Sequence, residues 1–209
     1  MNIFKKIKRK NIEIAICLGL ISAICLSFAH FDAACEDLRK NVLRLHIIAN
    51  SNAKEDQQIK LMIRDEILKN SETIFEDCDN LDSAMLTVGQ NIDIINEIAN
   101  SVLSENGFSY TAKAYIGDTY FETREYEDFT LPAGTYKSLI IDLGKAEGKN
   151  WWCVVFPEVC LKASSEERAQ LSDSASQESS KIAESKDKYK LKFKVVEWYE
   201  ELKRMFKKK

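Results

Sequence analysis

The side chains able to do chemistry in this chain are few and scattered. Its six cysteines stand at 17, 25, 35, 78, 153 and 160, with none of the paired C-x-x-C spacing that holds zinc. Cys153 and Cys160 lie seven apart on either side of Pro157, close enough for a disulfide if the chain reverses there. Cys35 and Cys78 are candidates for a second bridge, and spacing alone leaves three connectivities open. Of the two histidines, His46 sits inside an aliphatic run. A lone imidazole in such a place reads first as a hydrogen-bonded core residue, and any histidine-based triad would have to use it. G-x-S-x-G, H-E-x-x-H and a glycine-rich phosphate loop are all missing from the sequence. The carboxylates Glu122, Glu125, Glu127 and Asp128 could flank a glycosidic bond, but the run reads as a solvated loop. The expectation is a chain that is not an enzyme, with no cofactor and no metal.

The densest stretch of bulky and reactive residues runs from Gly148 to Cys160. Trp151, Trp152 and Phe156 each bring a large apolar surface, and Val154-Val155 favour a pleated strand. Pro157 has no N–H for a ladder, so it should end that strand at a bend. Upstream, residues 42–49 are aliphatic on both faces and predict a central strand. Asn50-Ser51-Asn52 then reads as a turn, with Asn52 as helix cap and Glu55 three residues on. The helix to about Lys69 carries Ile59, Ile63 and Ile67 on one stripe, and Asp56, Lys60 and Arg64 on another. Asp79-Asn80 caps a longer helix whose apolar positions, Leu81 to Val102, step by four and three until Asn106-Gly107 stops it. After Gly107 the period becomes two. Gly117-Asp118 predicts a hairpin turn, Leu131-Pro132-Ala133-Gly134 a second turn, and Thr135–Leu143 a further strand. The order β-α-α-β-β-β-β predicts an α+β fold, with a mostly antiparallel sheet and two helices on one face.

Charge divides the chain. Residues 1–13 carry five basic and one acidic residue, residues 186–209 carry ten and four, and the remainder carries 15 and 28. An acidic body between basic ends is a poor binder of nucleic acid. The basic start followed by the uncharged run Ile14–Ala29 reads as an export signal, with Ser27-Phe28-Ala29 as a cleavage site, or as an uncleaved anchor. Either way the body lies outside the cytoplasm. The expected parts are a signal or anchor (1–30), a globular domain (38–162), a Ser-rich linker (163–187) and a detached basic amphipathic helix (188–209). In that last helix Trp198, Tyr199, Leu202 and Phe206 share a face, suited to an anionic membrane surface or a partner groove.

Several motifs together resemble the stage II sporulation protein R family of endospore-forming bacteria. They are the run Leu43 to Asn52 with Glu55-Asp56-Gln57 and Lys60 to Asp65, the turn Leu131 to Tyr136, and Asn150 to Pro157 with Cys160. Val195 to Tyr199 resembles the family's tail, and Glu158 departs from it where a second proline is usual. The resemblance implies an exported, non-catalytic signal in the space between forespore and mother-cell membranes. It implies as partner a membrane-bound aspartic protease that processes the precursor of sigma E. On that basis the recognition surface is expected to include His46, Asn50, Ser51, Asp56, Gln57 and Arg64, supported by the tryptophan segment. The competing expectations are an extracytoplasmic hydrolase, or a structural protein of the envelope.

Overall fold

The computed structural model describes residues 2–74, 78–126, 129–157 and 176–207. Strand β1 (Leu43–Ile48) runs through the middle of the sheet. Its neighbours are β5 (Gly134–Leu143), which is parallel to it, and β6 (Asn150–Phe156), which is antiparallel. Strand β2 (Ala112–Phe121) adds antiparallel to β5, so the order is β2-β5-β1-β6. A small hairpin, β3 (Arg124–Glu125) and β4 (Thr130–Leu131), stands beside it. The class is α+β with a mostly antiparallel sheet, as the pattern predicts. A central strand must bury both faces, which is why β1 alternates Leu43, Leu45 and Ile47 with Arg44 and His46, all of them buried.

One face of the sheet carries α2 (Lys54–Lys69), the short α3 (Ser71–Ile74), α4 (Leu81–Gln90) and α5 (Ile92–Glu105). Ile59, Ile63 and Ile67 of α2 join Val88, Ile95 and Ala99 over Leu45, Ile47, Leu139 and Ile141. Each such side chain contributes roughly 1.5–3 kcal/mol of transfer free energy. The helix expected as one piece over 81–105 breaks at Asn91, whose N–H closes α4 on the Thr87 carbonyl. Asn80 caps α4 as expected, in a reciprocal box with Ser83. Residues Asn96 and Asn100 of α5 accept from the N–H groups of Ala114 and Ala112, covering part of the open edge of β2.

Two sequence expectations, one about a strand and one about a helix cap, are corrected. Gly117-Asp118 is not a turn: β2 is continuous, because β5 offers a ten-residue partner from Gly134 to Leu143 that satisfies its whole backbone ladder. Gly117 serves packing instead, since a Cβ there would stand 3.0 Å from Ile140 Cδ1. Asn52 is not the cap of α2 either. The cap position is Ala53, and the Asn52 side chain accepts from the Lys149 N–H.

The second face of the sheet is covered too. Leu38 from the end of α1 (Asn2–Lys40), Leu131, Phe129 and Ala183 from α6 (Gln177–Glu184) pack with Phe121, Tyr136 and Val154. Helix α1 is long and apolar enough to cross a membrane, which fits a signal peptide or membrane anchor. Its last third is core, however, with Phe31, Ala34, Cys35 and Leu38 buried, so the folded body starts before residue 38. Helix α7 (Lys186–Lys207) is not detached: Phe193 and Val196 close over Phe31 and Cys35. The apolar stripe that α1 would otherwise leave open accounts for this docking. Within the expected Ser-rich linker, residues 177–184 are helical. Ser176 caps them by accepting from the Ser179 N–H, and serine favours caps for that reason. The preceding part of that linker lies outside the described residues.

Candidate recognition surface

The turn from β1 into α2 is a hydrogen-bonded latch centred on Asp56. One carboxylate oxygen accepts from Asn50 Nδ2 at 2.9 Å and Ser51 Oγ at 2.6 Å, and the other from the Tyr110 hydroxyl at 2.6 Å. Burial alone would raise the pKa of this carboxyl, but the bonds from Ser51, Tyr110 and Asn50 outweigh it and hold the group below its ordinary value. Tyr110 is pushed up by its own burial and by donating to Asp56. Gln57 Nε2 donates to the Ser51 carbonyl at 2.8 Å. The buried Lys60 donates to Gln57 Oε1 at 2.7 Å and to the Lys149 carbonyl at 2.8 Å.

The loop before β6 is stitched to the same turn. Lys145 N–H donates to Asn50 Oδ1, and Gly148 N–H to the Ala49 carbonyl. The approach is close enough to require glycine. A Cβ on Gly148 would lie 2.2 Å from the Ser51 oxygen, and one on Gly144, whose φ is +57°, 2.3 Å from Asn50 Oδ1.

The sequence-predicted residues therefore separate into three groups. Asn50, Ser51, Asp56 and Gln57 come together, but they bond mainly to one another. His46 is not with them: it projects from the opposite face of β1, only 7% exposed, with its ring stacked on Trp152 at 3.7 Å. Burial pushes its pKa down to about 4. Neither ring nitrogen has a partner of proper hydrogen-bond geometry, although Asn150 is near enough to favour the charged form somewhat. A neutral imidazole of this kind is a weak base at neutral pH. Arg64 does not reach Asp56. It donates to Asp65 Oδ1 at 2.7 Å and lies over the Trp151 ring at 5.0 Å.

Beside Arg64 the outer side of α2 exposes Leu61 and Met62; Met62, adjacent in sequence to the Ile59, Ile63 and Ile67 stripe, stands outside the core that stripe forms. Sequence reasoning missed Arg44, fully buried over the Phe121 ring at 3.7 Å, with Nη2 donating to the Tyr126 hydroxyl. At the end of β6, Phe156 is buried and the Phe156–Pro157 peptide is cis. Cys153 is disulfide-bonded; the partner expected for it, Cys160, lies outside the described residues. Cys35 is a buried free thiol, so the second bridge with Cys78 is not formed. On α7, Trp198, Tyr199, Leu202 and Phe206 are exposed, whereas the docked face is Phe193 and Val196. Among the described residues no group of three or more His, Cys, Asp or Glu could hold a metal ion.

Residues 39–166 match a protein-family model described as Stage II sporulation protein R. The chain is also 34% identical over 119 residues to the Stage II sporulation protein R of Bacillus subtilis (strain 168). That stretch covers 57% of this chain and 53% of the relative, so the match spans about half of the relative's length. No solved structure matches.

Proposed function

The chain belongs to the stage II sporulation protein R family, a family of sporulation proteins, and on that premise we propose that it is an exported signal of endospore formation. In this reading it crosses the forespore membrane and engages a membrane-bound aspartic protease. Engagement activates the protease to process the precursor of sigma E. The chain itself does no chemistry.

The observation that carries the reading is how the matched segment uses its polar residues. Asn50, Ser51, Asp56, Gln57 and Lys60 are consumed in fixing α2 against the start of β6. What they hold out to solvent is a rigid patch of Leu61, Met62 and Asp65, bordered by Arg64 on Trp151. A pre-ordered patch with an Arg and a Trp at its rim suits recognition of a protein, because little freedom is lost on docking. His46 has no hydrogen-bond partner that could serve it as nucleophile or orienting acid, which works against a hydrolase.

The test is to produce the chain, the protease and the sigma precursor together in a non-sporulating cell. Cleavage of the precursor should require the chain, and a Met62→Glu/Arg64→Glu variant that folds normally should lower it at least tenfold. Cleavage without the chain, or undiminished with the variant, would overturn the reading or its surface respectively.

A further inference from the structure

We propose that the cleft where α1, α6 and α7 meet is a binding site for the phosphate headgroup of an anionic phospholipid. The cleft holds about 190 Å³ and is lined by Ser27, His30, Phe31, Glu178, Lys181, Ile182, Tyr189 and Lys192. Glu178 is already engaged, bonded to His30 Nε2 at 2.6 Å. Lys192 Nζ donates to Ser27 Oγ at 2.9 Å and hangs over the rings of Phe31 and Tyr189 at 5.4 and 5.7 Å. Glu178 is the one carboxylate among the lining residues. Among the described residues neither Lys181 nor Lys192 has a carboxylate within salt-bridge distance. Two ammonium groups therefore face a small cleft whose single carboxylate, Glu178, is bonded to His30 rather than to either of them.

The position of the cleft selects the source of the phosphate. The aliphatic side chains of α1 stay exposed as far as Ile24 at 64% and Leu26 at 71%, and nothing in the body covers them. With α1 in a bilayer, Leu26 marks the edge of the hydrocarbon. Ser27 to His30 then lie within about 6 Å further along the helix axis, and the headgroup layer on each side is about 5–8 Å thick. The uncharged run of 16 residues from Ile14 to Ala29 reaches only about 24 Å, short of a ~30 Å core, so the mismatch draws the cleft toward the lipid. Basic and aromatic side chains at that level are the usual furniture of a membrane interface.

The site also reassigns the membrane contact expected of the C-terminal helix. Lys192 is level with Ser27, while Glu200 approaches Arg39 at 3.9 Å, so α7 runs parallel to α1. Its exposed Trp198–Phe206 end stands about 9–21 Å farther from the bilayer and is left for protein contacts. The headgroup site does not depend on the protease reading, but it does require α1 to remain attached.

The test uses the full chain in a neutral detergent, mixed with equimolar phosphatidylglycerol and phosphatidylcholine of the same acyl chains, with retained lipid counted by native mass spectrometry. The wild type should retain phosphatidylglycerol about tenfold over phosphatidylcholine, as expected for two lysines near a phosphate. Lys181→Ala/Lys192→Ala should abolish the preference, Lys181→Arg/Lys192→Arg should keep it, and Lys113→Ala/Lys145→Ala on the body should leave it unchanged. Because Lys181 is exposed, Lys181→Glu gives the same reading without risk to the fold. Equal retention of the two lipids by the wild type, or a preference that survives Lys181→Glu, overturns the site. Complete displacement of the lipid by millimolar inorganic phosphate overturns the lipid as its ligand.

Discussion

Replacing Asp56 tests whether the β1–α2 turn is a structural latch. Asp56→Ala removes acceptors for Asn50, Ser51 and Tyr110 at once and leaves three donors unpaired in a partly buried site. A hydrogen bond to a charged group contributes about 1.5–3 kcal/mol, and bonds that share one acceptor are not additive. The expected loss is therefore about 3–5 kcal/mol, a large part of the 5–15 kcal/mol typical of a domain, and Tm should fall by about 10–15 °C. Asp56→Asn keeps the shape and one good acceptor oxygen, so its loss should be nearer 2 kcal/mol. The folded pKa of Asp56 is lowered from an unfolded value of about 3.9. Its contribution is thus fully present above pH ~4 and fades as the pH falls through the folded pKa. Thermal unfolding of the full chain in detergent, followed by the fluorescence of Trp151 and Trp152, would show this. The gap between wild type and Asp56→Asn should close on acidification below pH 4. An Asp56→Ala protein melting within 2 °C of the wild type at pH 7 would refute the latch.

Gly148→Ala forces a Cβ to 2.2 Å from a backbone oxygen of the same turn, which cannot swing away as a side chain would. A loss of about 2–3 kcal/mol in urea unfolding is expected, and an unchanged midpoint would mean that the two loops are not in register. His46, buried with its pKa down at about 4, binds fewer protons folded than unfolded between pH 6.5 and 4. Wild-type stability should therefore drop across that window as the pH falls, by up to about 3 kcal/mol. His46→Phe, which keeps the stack on Trp152, should flatten this dependence; an equally steep profile in the variant would count against the burial.

How much of this was legible in the sequence depended on whether a local signal met a distant one. The run Val42–Ala49 announced a central strand, because a strand buried on both sides has to be apolar throughout. The stripe Ile59, Ile63, Ile67 announced its covering helix for the same reason. Gly117-Asp118 misled because a turn dipeptide is a local preference, and the ten-residue ladder with β5 outweighs it. The C-terminal helix misled differently. Trp198, Tyr199, Leu202 and Phe206 make the more conspicuous apolar face, yet Phe193 and Val196, with Tyr189, are the ones that find a partner, since they lie level with Phe31 and Cys35. The Asp56–Tyr110 bond joins residues 54 apart, and no periodicity carries that information. Glycines at 144 and 148 opposite a polar turn were the one available hint.

On the proposed function, the latch also changes what a loss of signalling would mean. Polar residues clustered in a shared motif invite the reading that a partner touches them, yet here their donors and acceptors are largely satisfied within the fold. Lys60 ties α2 to the Lys149 carbonyl, and one turn on, Arg64 rests on Trp151, so the latch sets where the Leu61–Met62 patch stands relative to the tryptophan. A variant of Asp56 would thus weaken signalling by lowering the folded population, and lower temperature should restore it. Met62→Glu would weaken signalling with the fold intact, and cooling should restore nothing. If Asp56→Asn stayed inactive at a temperature where the protein is fully folded, Asp56 would be part of the contact itself, and the boundary between latch and surface would have to move.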